Sequence, residues 1–76
     1  MKIDEERITQ AVKEVCGDDI TPDTDLFAEG RMDSYALISI LSQLADMGIE
    51  IEPTAAGAES FSTLRKIIQL AEETIR

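Results

Sequence analysis

The sequence contains no histidine and only one cysteine. Without histidine it lacks the side chain that ordinarily moves protons near neutral pH. Metal sites built on Cys and His are excluded by count. Cys16 has no partner in the chain, so no internal disulfide can form. Its place near the end of an apolar helical stripe reads as a buried, small apolar role, and a redox role lacks a resolving cysteine. No apolar run approaches the roughly 20 residues needed to span a bilayer. The stretch Met1-Lys2-Ile3-Asp4-Glu5-Glu6 has no apolar signal-peptide region. The expectation is therefore a cytoplasmic protein without direct membrane insertion. Basic residues are also scarce: seven Lys and Arg against sixteen Asp and Glu leave a formal net charge of −9. Such a surface repels nucleic-acid phosphates and anionic lipid. It steers soluble partners with basic patches toward itself.

The chain has 76 residues, which suits one small domain spanning 1–76. A chain of this size buries only about 60–65% of its unfolded surface, so a deep enclosed active site is hard to build. The first 16 residues read as a helix. Ile8, Ala11, Val12 and Val15 recur at helical spacing, with Ile3 as an extension. Asp4 is its expected N-cap, Glu5 and Glu6 suit the helix dipole, and Gly17 is the stop. Residues 17–33 read as a long loop rich in turn formers, pinned to the core by Leu26 and Phe27. A loop of this length usually has a function.

A second helix is expected from about Ser34 to Met47, capped by Asp33 and closed by Gly48. Leu37, Ile40, Leu41, Leu44 and Met47 share one face. Ser39, Ser42, Gln43 and Asp46 lie opposite. Tyr35 and Ile38 fall at the polar side and its border, which leaves two readings: they serve a partner, or they pack beneath the loop. Ile49-Glu50-Ile51-Glu52 alternates apolar and polar residues, so it is extended or a very short strand with no evident pairing partner. Residues 53–60 hold at most one short helical turn. The last helix is expected from about Ser62, its N-cap, to Ile75, with Leu64, Ile67, Ile68, Ala71 and Ile75 as its buried stripe. The fold class is all-α, a small three- to four-helix bundle, because no single amphipathic helix of this length is stable alone.

The chemically informative stretch is Asp25-Leu26-Phe27-Ala28-Glu29-Gly30-Arg31-Met32-Asp33-Ser34-Tyr35. It sets a serine hydroxyl where a long loop meets a helix N-terminus. Free backbone N–H groups and the helix dipole favour a phosphate there. The dipeptide Asp33-Ser34 alone reads as a helix cap. The acids Asp18, Asp19, Asp23 and Asp25 do not make a calcium loop. Starting at Asp23 puts Phe27 fifth, Ala28 sixth and Ser34 twelfth, where acids, glycine and glutamate are needed.

Asp25-Leu26-Phe27, then Gly30, then Asp33-Ser34 ahead of an apolar helix, within a short acidic chain, resembles the acyl carrier protein family. The resemblance covers nearly the whole chain, to the Phe61-Ser62-Thr63-Leu64 start of the last helix. It implies a helical bundle that carries a covalent 4′-phosphopantetheine arm on Ser34, with Asp33 as the motif acid. In the family that acid supports transferase recognition and metal binding during arm transfer. The arm ends in a thiol that holds an acyl or aminoacyl group as a thioester. The implied partners are a phosphopantetheinyl transferase, an acyl- or aminoacyl-activating ligase, and a downstream acyltransferase or synthase. The carrier itself is expected to be a monomer, not an enzyme, without a resident metal. Nothing in the composition would activate Ser34 as a nucleophile.

Two features depart from the fatty-acid type: Tyr35 replaces the usual Leu after the serine, and the second helix has few acids. Docking there would lean on shape and apolar contact through Tyr35 and Ile38. The spacing Asp-Leu-Phe-x-x-Gly-x-x-Asp-Ser, with Phe61-Ser62-Thr63 and Lys66-Ile67-Ile68, is similar to the D-alanyl carrier proteins, which points to an amino acid or small acid as cargo. A fatty-acyl or polyketide carrier and an unmodified acidic helical adaptor are the alternative functions.

Overall fold

The computed structural model describes residues 3–75. Four α-helices and one 3-10 turn follow in order: α1 (Glu5–Cys16), α2 (Ser34–Asp46), α3 (Pro53–Ala56), the 3-10 turn (Ala58–Phe61) and α4 (Leu64–Thr74). No strand occurs among the described residues. The all-α bundle expected from periodicity is what the chain forms.

Each long helix begins at a side-chain cap. Asp4 accepts from the Arg7 N–H at 3.1 Å, and Glu5 and Glu6 occupy the first turn of α1. These carboxylates suit the positive end of the helix dipole. Residues 1 and 2, included in the expected first helix, lie outside the described residues. Gly17 ends α1 at φ +120°, donating its N–H to the Lys13 carbonyl at 2.8 Å. At the far end of α2, Gly48 (φ +85°) donates to Ala45 O at 2.9 Å, and Ile49 donates to Leu44 O at 2.9 Å. This six-to-one and five-to-two pairing satisfies the last carbonyls, and the buried Ile49 and Leu44 supply its apolar contact.

The final helix starts one residue later than expected. Thr63, not Ser62, is the cap: its Oγ1 accepts from the Lys66 N–H at 3.1 Å. Ser62 is occupied differently, since its hydroxyl donates to Glu59 O at 2.8 Å and its carbonyl accepts from Leu26 N–H at 2.8 Å. The region 53–60 also holds more structure than the single turn expected. It forms α3 and then most of the 3-10 turn, which carries Phe61 into the core.

α1 packs against both α2 and α4. Ile8 and Val12 of α1, Ile40 and Leu44 of α2, Leu64 and Ile67 of α4, Phe61 and the loop residue Leu26 are fully enclosed. Val15, Leu37, Leu41, Met47, Ile68 and Ile75 pack around this centre while half-buried. Among the described residues no polar or charged residue is buried.

The loop 17–33 is fixed at three apolar points: Ile20, Leu26 and Met32 are buried. Phe27, expected to be an anchor, is 42% exposed and stands outside the core. The reason is local. Asp25 Oδ1 accepts from Ala28 N–H at 3.0 Å and Asp25 O accepts from Glu29 N–H at 3.1 Å, which closes a tight turn with Phe27 on its outer side. Two further ties join this loop to α4: Arg65 N–H donates to Pro22 O at 3.1 Å, and the Arg65 guanidinium forks onto Asp23 at 2.8 and 3.1 Å.

Candidate functional site

The loop delivers the chain to α2 through Met32, whose side chain is buried and whose N–H donates to Leu26 O at 3.0 Å. Arg31 N–H donates to the same carbonyl at 2.7 Å. With this approach fixed, Asp33 takes extended backbone angles (φ −142°, ψ −175°) and caps α2. Its Oδ1 accepts from Ala36 N–H at 2.7 Å, and its carbonyl accepts from Leu37 N–H at 2.9 Å.

This geometry separates two roles that the dipeptide Asp33-Ser34 left merged. Asp33 is the cap. Ser34 is the first helical residue, exposed, and its hydroxyl has no hydrogen-bond partner among the described residues. The N–H groups of Ser34 and Tyr35 likewise have no intramolecular acceptor among the described residues. Two unpaired amides and the positive end of a 13-residue helix therefore surround an open hydroxyl. A phosphodiester on Ser34 fits this position: it needs hydrogen-bond donors and room, and both are present.

The residues around Ser34 are distributed by helical geometry. Ile38 lies one turn along from Ser34 on the same outward face, and it is 66% exposed. Tyr35 is 83% exposed. It borders an open groove of about 590 Å³ that runs along the end of α1, with Asp33, Ser39 and Gln43 also on its wall. The reading in which Tyr35 and Ile38 pack beneath the loop does not hold, because both side chains stand in solvent.

One charged cluster near the site was not legible from the sequence. The Arg31 guanidinium forks onto Asp19, with Nη1–Oδ1 and Nη2–Oδ2 both at 2.7 Å. Nη1 also donates to the Cys16 carbonyl at 2.9 Å, and Nε donates to Glu29 Oε1 at 3.2 Å. The hydrogen bond from Arg31 is the main cause holding the Asp19 carboxyl below the usual aspartate range. Asp23 is lowered in the same way by its hydrogen bond with Arg65. Burial pushes the Cys16 thiol up, offset in part by the Arg31 charge. Cys16 is thus a core residue of low reactivity. Asp19 and Asp23 are engaged in forks, Asp25 in a turn and Asp33 in a cap, and no group of three or more His, Cys, Asp or Glu is placed to hold a metal among the described residues.

Comparison with known proteins agrees with the geometry. The family model described as "Phosphopantetheine attachment site" matches residues 6–71. Similar curated proteins include the D-alanyl carrier proteins of Bacillus cereus (strain B4264) and Bacillus anthracis (strain CDC 684 / NRRL 3495). Each is 31% identical over 72 residues, covering 90% of this chain and 91% of its own length.

Proposed function

This chain belongs to the phosphopantetheine-attachment family of carrier proteins, and from that premise we propose that residues 1–76 form one carrier domain with its arm on Ser34. Members carry 4′-phosphopantetheine covalently on a serine and are cargo carriers rather than enzymes. The observation that carries the assignment to Ser34 is the separation of cap from hydroxyl: Asp33 satisfies the helix end, and Ser34 Oγ stays open beside two unpaired amides.

When bound, the arm supplies a thiol that holds an acyl or aminoacyl group as a thioester. The protein's own residues do the rest. Ser34 supplies the oxygen that joins the arm. Asp33 holds the first turn of α2 and presents a carboxylate to the transferase and its metal. No histidine exists in the chain to activate Ser34, so the base that takes its proton belongs to the phosphopantetheinyl transferase. Tyr35 and Ile38 offer an apolar docking surface beside the attachment point.

The cargo we propose is an amino acid or small acid, loaded by an aminoacyl- or acyl-activating ligase and passed to a downstream acyltransferase or synthase. Support comes from the similarity to D-alanyl carrier proteins along 90% of the chain and from the scarcity of acids on α2. No helix among the described residues is long and apolar enough to cross a membrane; we place the carrier in the cytoplasm, acting as a monomer.

Intact-protein mass spectrometry tests the attachment. The protein is incubated with coenzyme A, magnesium and a broad-specificity phosphopantetheinyl transferase, with Ser34→Ala in parallel. A gain of one phosphopantetheine in the wild type and none in the variant is expected. No gain in folded wild type across several transferases would reduce the Asp33-Ser34 pair to a helix start. Loading of the holo form with D-alanine by a D-alanyl ligase, against a fatty-acyl ligase, then decides the cargo class.

A further inference from the structure

We infer that Arg31 is a positioning residue for arm attachment, acting through a fork on Asp19 that fixes the approach to Ser34. The inference rests on Ser34 being the attachment point.

One guanidinium joins three segments with all its nitrogens. It reaches the last carbonyl of α1 at Cys16, the loop carboxylate of Asp19, and Glu29 in the turn that follows Leu26. Such two-pronged, charge-assisted contacts fix direction as well as distance. The Arg31 side chain is 28% exposed while that of Asp19 is 71% exposed, so the fork lies against the protein with its outer edge in water. Arg31 is also held by its backbone, which donates to Leu26 O at 2.7 Å. Three residues later comes Ser34. The chain between them is Met32, anchored in the core, and Asp33, which caps α2. Fixing Arg31 at both backbone and side chain therefore sets where α2 begins and which way its first turn faces.

The end of α1 is shaped to admit this fork. Gly17 has φ +120°, and a Cβ built there would overlap Arg31 Nη1 and come within 2.9 Å of Asp19 Oδ1. Only glycine leaves the guanidinium its place over the helix end. The site thus has three interlocking parts, Gly17, Asp19 and Arg31, none of which touches Ser34.

In the transfer itself, Ser34 Oγ bonds to the phosphorus bearing the pantetheine of coenzyme A. The pyrophosphate P–O bond breaks, adenosine 3′,5′-bisphosphate leaves, and the serine proton passes to a base on the transferase. Arg31 takes no part in these bonds. It acts by raising the fraction of molecules in which the loop end and α2 are already arranged for docking, so its loss lowers apparent affinity.

The experiment measures transferase kinetics on Arg31→Ala, Arg31→Lys, Asp19→Ala, the Arg31→Ala/Asp19→Ala double variant and the charge swap Arg31→Asp/Asp19→Arg. Thermal melting and amide hydrogen exchange at 32–36 are followed in parallel. Loss of an exposed fork should raise KM about three- to five-fold with kcat unchanged. Asp19→Ala should match Arg31→Ala, and the double variant should be no worse than either single one. Lysine should rescue only in part, and the charge swap should not rescue, because a carboxylate at position 31 would face the Cys16 carbonyl and the Glu29 carboxylate. The amides of Met32 and Ala36, which are hydrogen-bonded to Leu26 O and Asp33 Oδ1, should exchange faster in Arg31→Ala and in Asp19→Ala. Asp19→Ala at wild-type KM beside an impaired Arg31→Ala would overturn the inference, because the fork on Asp19 would then not be what carries the effect of Arg31. Unchanged kinetics in all variants would overturn it too. If Arg31→Ala melts below the assay temperature, Asp19→Ala and Arg31→Lys decide alone. Failure of the wild type to be modified at all would instead remove the Ser34 assignment, a separate and recognisable result.

Discussion

Replacing Asp33 separates the two duties assigned to it. Its Oδ1 accepts from Ala36 N–H at 2.7 Å, a short, charge-assisted contact at the third residue of α2. Asp33→Ala deletes that acceptor and leaves the amide to water. Loss of an N-cap costs about 1 kcal/mol. For a domain of this size each kcal/mol shifts Tm by roughly 4–8 °C. Asp33→Asn keeps an acceptor oxygen at the same reach, and asparagine caps about as well as aspartate, so its Tm should stay within about 2 °C of wild type. Arm transfer should respond differently, since only the charge is missing in Asp33→Asn. Calorimetry and transferase kinetics on both variants give four numbers. The expected pattern is Asn stable but poorly modified, and Ala both less stable and poorly modified. An Asn variant melting as low as Ala would refute the capping argument. An Asn variant modified at the wild-type rate would refute the need for a carboxylate.

Three further outcomes follow from the packing and the charges. Phe61 is fully buried at the centre of the core, so Phe61→Ala should cost about 3–5 kcal/mol, a large part of the total for so small a domain, and urea titration should find it largely unfolded at low denaturant. The folded-state pKa of Asp23 is depressed by Arg65, so the pair's stabilisation is complete above the unfolded aspartate value of about 4 and is lost as pH falls through the lower folded value; Asp23→Asn should leave the Tm profile between pH 5 and 8 parallel to wild type and differ from it in shape only in acid. Cys16 is 6% exposed with its thiol pushed up by burial, so iodoacetamide at pH 7.5 should label the arm thiol of the holo form quickly and Cys16 only on unfolding; rapid labelling of Cys16 in the folded apo protein would show that the end of α1 opens.

What the sequence made legible was local. Asp4 and Asp33 are caps whose partners lie three residues on, and the stripes of α1 and α2 repeat at helical spacing, so both helices could be read within a window of a few residues. The expected start of α4 falls one residue early because Ser62 and Thr63 are both good caps. A contact from 36 residues upstream, Leu26 N–H on Ser62 O, accompanies the outcome. The loop anchors had no period to reveal them. Phe27 is the larger hydrophobe beside Leu26, yet the turn set by Asp25 directs it outward, while Ile20 and Met32 go in. The Arg31–Asp19 fork was least visible, since two opposite charges 12 residues apart in a loop carry no pattern until the backbone brings them together. Residues 53–61 show the same limit: small residues with Gly57 read as a weak segment, but the pull of Phe61 into the core organises it.

The open state of Ser34 follows from what its neighbours are already doing. Asp33 Oδ1 is taken by Ala36 N–H, Arg31 is committed to Asp19, Cys16 and Glu29, and Met32 to the core, and among the described residues no side chain is hydrogen-bonded to the Ser34 hydroxyl. A serine in an enzyme needs the opposite arrangement, with a base oriented on it by a third group. Here the rigid parts converge on the serine's position and none on its chemistry. That makes Ser34 a poor nucleophile in the free protein and, on the proposed assignment, one suited to a transferase that brings its own base. The same logic extends to Tyr35 and Ile38: on the proposed assignment of the arm to Ser34, large apolar groups left in water beside it would serve as surface for the enzymes that must reach it, on a helix with too few acids to be recognised mainly by charge.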